Sequence, residues 1–242
     1  MSKEPEPTQC KYASFISSET FTLYAGQSQK PYRVHKELLA AMSPELRNHI
    51  FNDMKEGHES CMRMEHVTPQ TMCQFLEFCY TGKYAEFADD GDKKGRAEVQ
   101  AEKPTWKQAG ILKASALMSH AKLYVLGDIY NVQRLKNEAL RNINEIMKDL
   151  SAGPQSRMPD VAEECINLMR YACDNLPERS AERGIDPLVK YLAHCAAWGL
   201  DFFRNKLPEL LSTGGRVDFT ETFLALLRFR GVEGPPWEGF KC

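Results

Sequence analysis

The chain has 242 residues, 43% of them hydrophobic and 26% charged, with a formal net charge of −2. This balance is that of an ordinary globular protein, and it supplies no electrostatic reason to expect nucleic acid or an anionic membrane surface as partner. No apolar run approaches the roughly 20 residues that a membrane-spanning helix needs; Leu188 to Leu200 comes nearest and is broken by Lys190 and His194.

Residues 1–13 are polar and Pro-rich, without an apolar signal core, and read as a disordered lead into a cytoplasmic or nuclear protein. Phe15 to Tyr24 has strand composition, with Phe21 and Leu23 alternating against Thr22 and Tyr24. A polar turn then leads to Pro31-Tyr32-Arg33-Val34, and the pair reads as a hairpin. His35 to Met42 places Leu38, Leu39 and Met42 on one helical face. Ser43-Pro44 joins an N-cap to a first-position proline, and the helix it starts is expected to bury Leu46, Ile50 and Phe51. Met54 to Ser60 is polar, contains Gly57 and reads as a loop. Cys61 to Glu65 alternates as a short strand with Met62 and Met64 facing inward. Thr68-Pro69 repeats the cap-plus-proline device and predicts a helix through Met72, Phe75, Leu76 and Cys79 to Tyr80, stopped by Thr81-Gly82.

Residues 85–103 carry mixed charge and few large apolar side chains, and read as a mobile insertion. Helical periodicity over Ile111 to Ile129 puts Leu117, Ala121, Tyr124 and Val125 on the core side. A second helix, from about Val132 to Leu150, uses Leu135, Ala139, Leu140, Ile143 and Ile146. The Gly/Pro/Ser stretch 151–159 reads as a hinge. From 160 to 231 the pattern is all helix: Asp160 to Asn175, a helix opened by Asp186-Pro187, and a last one following Asp218-x-x-Glu221. The second carries Leu188, Tyr191, Leu192, Cys195, Trp198 and Phe202, with Trp198 read as core. The last has a capping box in outline and holds Phe223, Leu224, Leu227 and Phe229. Residues 232–242 are a tail.

No G-x-S-x-G, phosphate-cradling glycine loop or H-E-x-x-H occurs, so no catalytic residue is assigned. The eight cysteines include no C-x-x-C pair and read as reduced thiols. Cys73, Cys79, Cys165, Cys173 and Cys195 lie in apolar-rich segments and are expected to be small buried hydrophobes. The one cluster weighed as a metal site, His58, Cys61 and His66, has the spacing of no familiar zinc pattern. No metal and no cofactor are expected. His35 reads as a polar residue closing a helix start.

The order strand, strand, helix, Ser-Pro helix, strand, Thr-Pro helix, then two long helices resembles the BTB/POZ domain over roughly Ser14 to Leu150. The residues that carry it are Phe21-Thr22-Leu23, Val34-His35-Lys36-x-x-Leu39-Ala40-Ala41-x-Ser43-Pro44, Tyr80-Thr81-Gly82-Lys83-Tyr84 and Ala121-Lys122-Leu123-Tyr124-Val125-Leu126. The insertion and the helical tail, especially Asp186-Pro187-Leu188 and Ala197-Trp198, resemble the fungal branch of that family. The resemblance implies an α-rich α+β fold, a small mixed sheet flanked by helices with an all-α C-terminal subdomain at 160–231. It also implies a protein-binding module rather than an enzyme. Met54-Lys55-Glu56 falls where cullin-binding members carry a hydrophobic-x-Glu motif, which implies Met54 and Glu56 as contacts to a cullin-type ubiquitin-ligase scaffold. The alternative is a stand-alone oligomerisation scaffold, nuclear or otherwise, with a homodimer as the partner. Transcriptional members set an Asp against the basic residue that matches Lys36; that acidic position falls on Thr20, beside Glu19, which weakens a corepressor-groove or strand-exchanged-dimer reading.

Overall fold

A computed structural model describes residues 13–51, 55–86, 106–151, 161–211, 216–228 and 236. The chain divides into two compact units, Met1–Ala85 with Ile129–Gln133, and Glu86–Asp128 with Arg134–Cys242.

In the first unit, β1 (Thr20–Ala25) and β2 (Lys30–His35) form the expected hairpin, with Thr20 opposite His35 and Ala25 opposite Lys30. β3 (Cys61–Met64) lies parallel to β1, so the sheet is mixed, in the order β2-β1-β3. Period-two alternation turns Phe21, Leu23 and Ala25 of β1 and Met62 and Met64 of β3 into the core, all of them buried. The first strand starts later than its composition suggests. Ala13–Ile16 form a helical turn, α1, and the Ser18 hydroxyl donates back to the Phe15 carbonyl at 2.8 Å. A local serine bond of that kind competes with a strand ladder.

Short helices follow. α2 is Lys36–Ala40 and α3 is Pro44–Phe51, and the Ser43 hydroxyl accepts from the Leu46 N–H at 3.1 Å as the Ser-Pro pair requires. Leu46 and Ile50 are buried, but Phe51, expected beside them, is 48% exposed. The segment read as a loop from Met54 to Ser60 contains a helical turn, α4 (Lys55–Glu59). α5 (Pro69–Thr81) opens at Thr68, whose side chain accepts from the Thr71 N–H at 3.2 Å. It buries Met72, Phe75, Phe78 and Cys79, leaves Leu76 half-buried, and exposes Cys73, which was expected inside. Gly82 stops it in the left-handed region at φ +75°, returning its N–H to the Phe78 carbonyl at 2.8 Å. Losing a cap of this type costs about 1 kcal/mol. Thr68→Ala should therefore lower the urea midpoint while Thr68→Ser keeps it; equal midpoints for all three proteins would mean that the cap bond is replaced by water.

The second unit is helical: α6 (Trp106–Ile129), α7 (Gln133–Ser151), α8 (Ala162–Asn175), α9 (Pro187–Trp198), α10 (Leu207–Leu211) and α11 (Val217–Arg228). α6 starts before the expected Ile111, and α10 was not expected at all. Every core residue predicted for α6 and α7 is buried. Asp186 caps α9, accepting from the Leu188 N–H at 2.8 Å. Trp198 is only half-buried, its ring 6.2 Å from that of Phe202; the fully buried aromatic at this corner is Phe203. On α11, Phe223 faces inward as expected, whereas Leu224 is 51% exposed. Phe229 lies outside the described residues, as do the lead apart from Ala13, the insertion apart from Ala85 and Glu86, the hinge apart from Ser151, and the tail apart from Pro236.

Candidate protein interface

α3 packs against α4, the turn that holds Lys55 and Glu56 of the predicted motif. The inner face of α3 is fixed by Leu46 and Ile50, and its C-terminal residue, Phe51, projects from the surface with the Arg47 guanidinium 5.6 Å from its ring centre. Arg47 Nη2 lies 3.7 Å from Glu37 Oε2 on α2. Met54 lies outside the described residues. Glu56 is in the first turn of α4, half-buried.

A second feature joins the start of β1 to the start of α2. The Lys36 ammonium sits 2.8 Å from Glu19 Oε2, and the Lys36 N–H donates to the Glu19 carbonyl at 2.8 Å. The Lys36 bond and charge hold the Glu19 carboxyl below its ordinary range. The basic position thus does have an acidic partner, Glu19, and not Thr20, which stands in the ladder opposite His35. Next to it, His35 Nδ1 and the Tyr80 hydroxyl are hydrogen-bonded at 2.9 Å, so His35 ties the hairpin to α5 rather than capping α2, where it makes no side-chain cap bond.

His58, Cys61 and His66 are not drawn together. The Cys61 thiol donates to Glu59 at 3.7 Å, and the His66 ring stacks on Tyr130 with centres 6.4 Å apart. Among the described residues no group of three His, Cys, Asp or Glu side chains is placed to hold a metal ion. Burial pushes the Cys165 thiol up to about 12 and the Cys173 thiol up to about 11, and raises those of Cys79 and Cys195 further. Such thiols stay protonated at neutral pH and are inert as nucleophiles.

Two polar nodes lie in the second unit. In one, the Lys136 ammonium meets Asp128 and Asp186 and lies 4.8 Å from the Tyr124 ring centre, and the Tyr124 hydroxyl donates to Asp186 Oδ1 at 3.1 Å. In the other, Arg216 and Asp218 are paired at 2.7 Å with side chains 3% and 4% exposed. Both nodes fix helices: the first ties α6, α7 and the cap of α9, the second ties the start of α11 to the end of α8.

The BTB/POZ domain family matches residues 17–93. Residues 17–93 are a BTB/POZ domain. Curated proteins similar to it include TD and POZ domain-containing protein 1 of Mus musculus, 26% identical over 118 residues, and TD and POZ domain-containing protein 4 of the same species, 23% identical over 118 residues. Each match covers 45% of this chain and 31% of the mouse protein, so the chain aligns with about a third of the length of these relatives.

The match supports a protein–protein interaction module over residues 17–93. Sequence reading set Glu56 in a loop, where the structure has the first turn of α4, and missed both Phe51 as a surface residue and Glu19 as the partner of Lys36. The signal for Glu19 was present, a carboxylate next to the position where one was sought. Nothing local marks Phe51, because helical periodicity gives a residue's face without saying what covers it.

Proposed function

We propose that the chain is a substrate adaptor whose BTB/POZ domain binds a cullin-type ubiquitin-ligase scaffold, in the cytoplasm or nucleus. We also propose that it is of the fungal type, the domain being followed by a helical extension. The observation carrying this is the α3–α4 corner, where an exposed aromatic, Phe51, ends one helix and Glu56 stands in the first turn of the next, on either side of Met54. An apolar plug filling a pocket, with a carboxylate setting register, is a compact way to build an interface. The adaptor does no chemistry itself; it acts by effective concentration, holding a substrate near a conjugating enzyme.

The test is binding of the wild-type chain, Met54→Arg and Glu56→Ala to a purified cullin N-terminal domain. Truncating an anchor costs about 2 kcal/mol or more, near thirtyfold in affinity, and Met54→Arg should cost more by placing a charge against an apolar pocket. A thermal melt of each variant alongside tells a lost contact from a lost fold. Wild-type chain that shows no binding at tens of micromolar (of order −6 kcal/mol or weaker) rules the adaptor reading out.

The Glu19–Lys36 pair favours a second reading, a homodimeric scaffold without a ligase role, since it supplies the acid–base arrangement that the Thr20 position had left incomplete. Light scattering of wild type and Lys36→Glu separates the two: only the scaffold reading requires self-association that the charge reversal weakens.

A further inference from the structure

The sheet buries one face and leaves the other to solvent. Alternation along β1 turns Phe21, Leu23 and Ala25 into the core, and Thr20, Thr22 and Tyr24 outward. On the outer side Arg33 of β2 stands opposite Thr22, and Arg63 of β3 stands beside Tyr24. Both arginines are exposed, one on each side of β1. Arg63 is held, its guanidinium 5.6 Å from the centre of the Tyr24 ring. Neither arginine meets a carboxylate among the described residues. The three strands contain no Asp or Glu, in a chain with 33 of them against 31 Lys and Arg, so the positive excess is local to this sheet. Of the carboxylates at its borders, Glu19 is held by Lys36 at 2.8 Å, Glu59 accepts from the Cys61 thiol at 3.7 Å, and Glu65 lies in the turn past the end of β3. Opposite charges on neighbouring strands stabilise a sheet, and this face forgoes them.

We infer that the outer face of the β2-β1-β3 sheet is a docking surface for an extended acidic segment of a partner protein, whose carboxylates are taken by Arg33 and Arg63. A planar guanidinium meets a carboxylate through two parallel N–H donors, and a positive patch selects a negative partner. Strands about 4.8 Å apart and a stagger of two residues set the two arginine backbones roughly 12 Å apart, close to the ~13 Å between residues four apart in an extended chain. Residues at that spacing share one side of an extended segment, so both carboxylates face the sheet. The Tyr24 ring under Arg63 already restricts that side chain, which lowers the freedom lost on binding. Nucleic acid fits this face less well, since specific binding draws on about 6–10 phosphate contacts and the chain, of net charge −2, offers two cations here. The inference stands apart from the adaptor reading and holds whether or not the chain binds a cullin-type scaffold.

The experiment titrates a fluorescein-labelled octaglutamate peptide with wild type, Arg33→Glu, Arg63→Glu and a control away from the sheet, Arg170→Glu on the exposed side of α8. A thermal melt of each protein and a single-stranded oligonucleotide of equal charge run alongside. Wild type should bind the peptide, more tightly as salt is lowered. Arg33→Glu and Arg63→Glu should each bind roughly tenfold or more weakly, and Arg170→Glu should bind as wild type does. No wild-type binding at about 1 mM peptide overturns the proposal, as does affinity within about twofold of wild type in both sheet variants. An equal loss in Arg170→Glu makes the attraction general to the surface and overturns it too. Tighter binding of the oligonucleotide, lost in the same two variants, gives the face to nucleic acid and overturns the protein partner. If a charge reversal lowers the melt, Arg33→Gln and Arg63→Gln decide, and wild-type affinity in both overturns the proposal.

Discussion

Arg216→Ala should destabilise the protein by about 3–5 kcal/mol, the cost of breaking a buried charge pair from one side. The guanidinium has five N–H donors, and all are used. Nε donates to Asp218 Oδ1 at 2.9 Å, Nη1 to the carbonyls of Cys173 and Leu176 at 2.9 and 2.7 Å, and Nη2 to the Pro177 carbonyl at 2.8 Å and Asp218 Oδ2 at 2.7 Å. Cys173 is in the last turn of α8, where carbonyls have run out of intrahelical donors. One side chain therefore satisfies the end of α8, the strand-like exit from it and the carboxylate that opens α11. Asp218 in turn accepts from the N–H groups of Phe219 at 2.8 Å and Arg179 at 3.2 Å. Removing Arg216 strands that carboxylate and three carbonyls in a place with little water. Arg216→Lys should recover only a minor part, because an ammonium on a flexible stem cannot match a planar fork with acceptors on several sides. Urea unfolding at neutral pH measures both variants. A loss below about 1 kcal/mol for Arg216→Ala would mean that solvent reaches the node and takes over its bonds.

That node also marks where sequence reading stops. Ser43-Pro44, Thr68-Pro69 and Asp186-Pro187 each combine a side-chain acceptor with a fixed φ, and the bond completing each is made within a few residues. Such starts can be read from a short window. Asp218-x-x-Glu221 has the same look and misleads: Asp218 is captured by Arg216 and Glu221 lies 3.6 Å from Arg179. Arg216 was drawn there by carbonyls 39 to 43 residues away, and Lys136 finds Asp186 at a separation of 50. Nothing in a local pattern encodes such pairings. The sheet shows the same division. The β1–β2 hairpin was legible because its strands are neighbours in sequence. The parallel docking of β3 on β1, 39 positions away, came only with the resemblance to a known fold, although the inward faces of Met62 and Met64 were plain from alternation. Glu56 was proposed as a contact from the resemblance alone, whereas the exposure of Phe51 depends on what the remainder of the fold fails to cover.

The second large effect is acid sensitivity from His120. This residue lies on α6 with 0% of its surface exposed, and burial lowers its pKa from 6.5 to about 4. In the unfolded chain the ring binds a proton as pH falls through about 6.5, whereas the folded chain does not take it up until about 4, so between those values the unfolded state binds more protons. Stability is therefore highest above about 6.5, falls as pH drops through that window and levels off below it. The gap of about 2.5 pKa units corresponds to about 3 kcal/mol in full, and to about 2 kcal/mol already lost at pH 5. Carboxylates held low by cations, Glu19 by Lys36 and Asp218 by Arg216, act further down the scale, where their own protonation begins. Urea unfolding of wild type and His120→Gln at pH 7.5, 6.5, 5.5 and 4.5 isolates the histidine. The comparison is of slopes with pH, so any cost of the substitution itself cancels. Wild type should lose about 2.5 kcal/mol more than His120→Gln between pH 7.5 and 4.5. Parallel curves would show that His120 is protonated in the folded chain at an ordinary pH, which requires water or a carboxylate to reach the ring within α6.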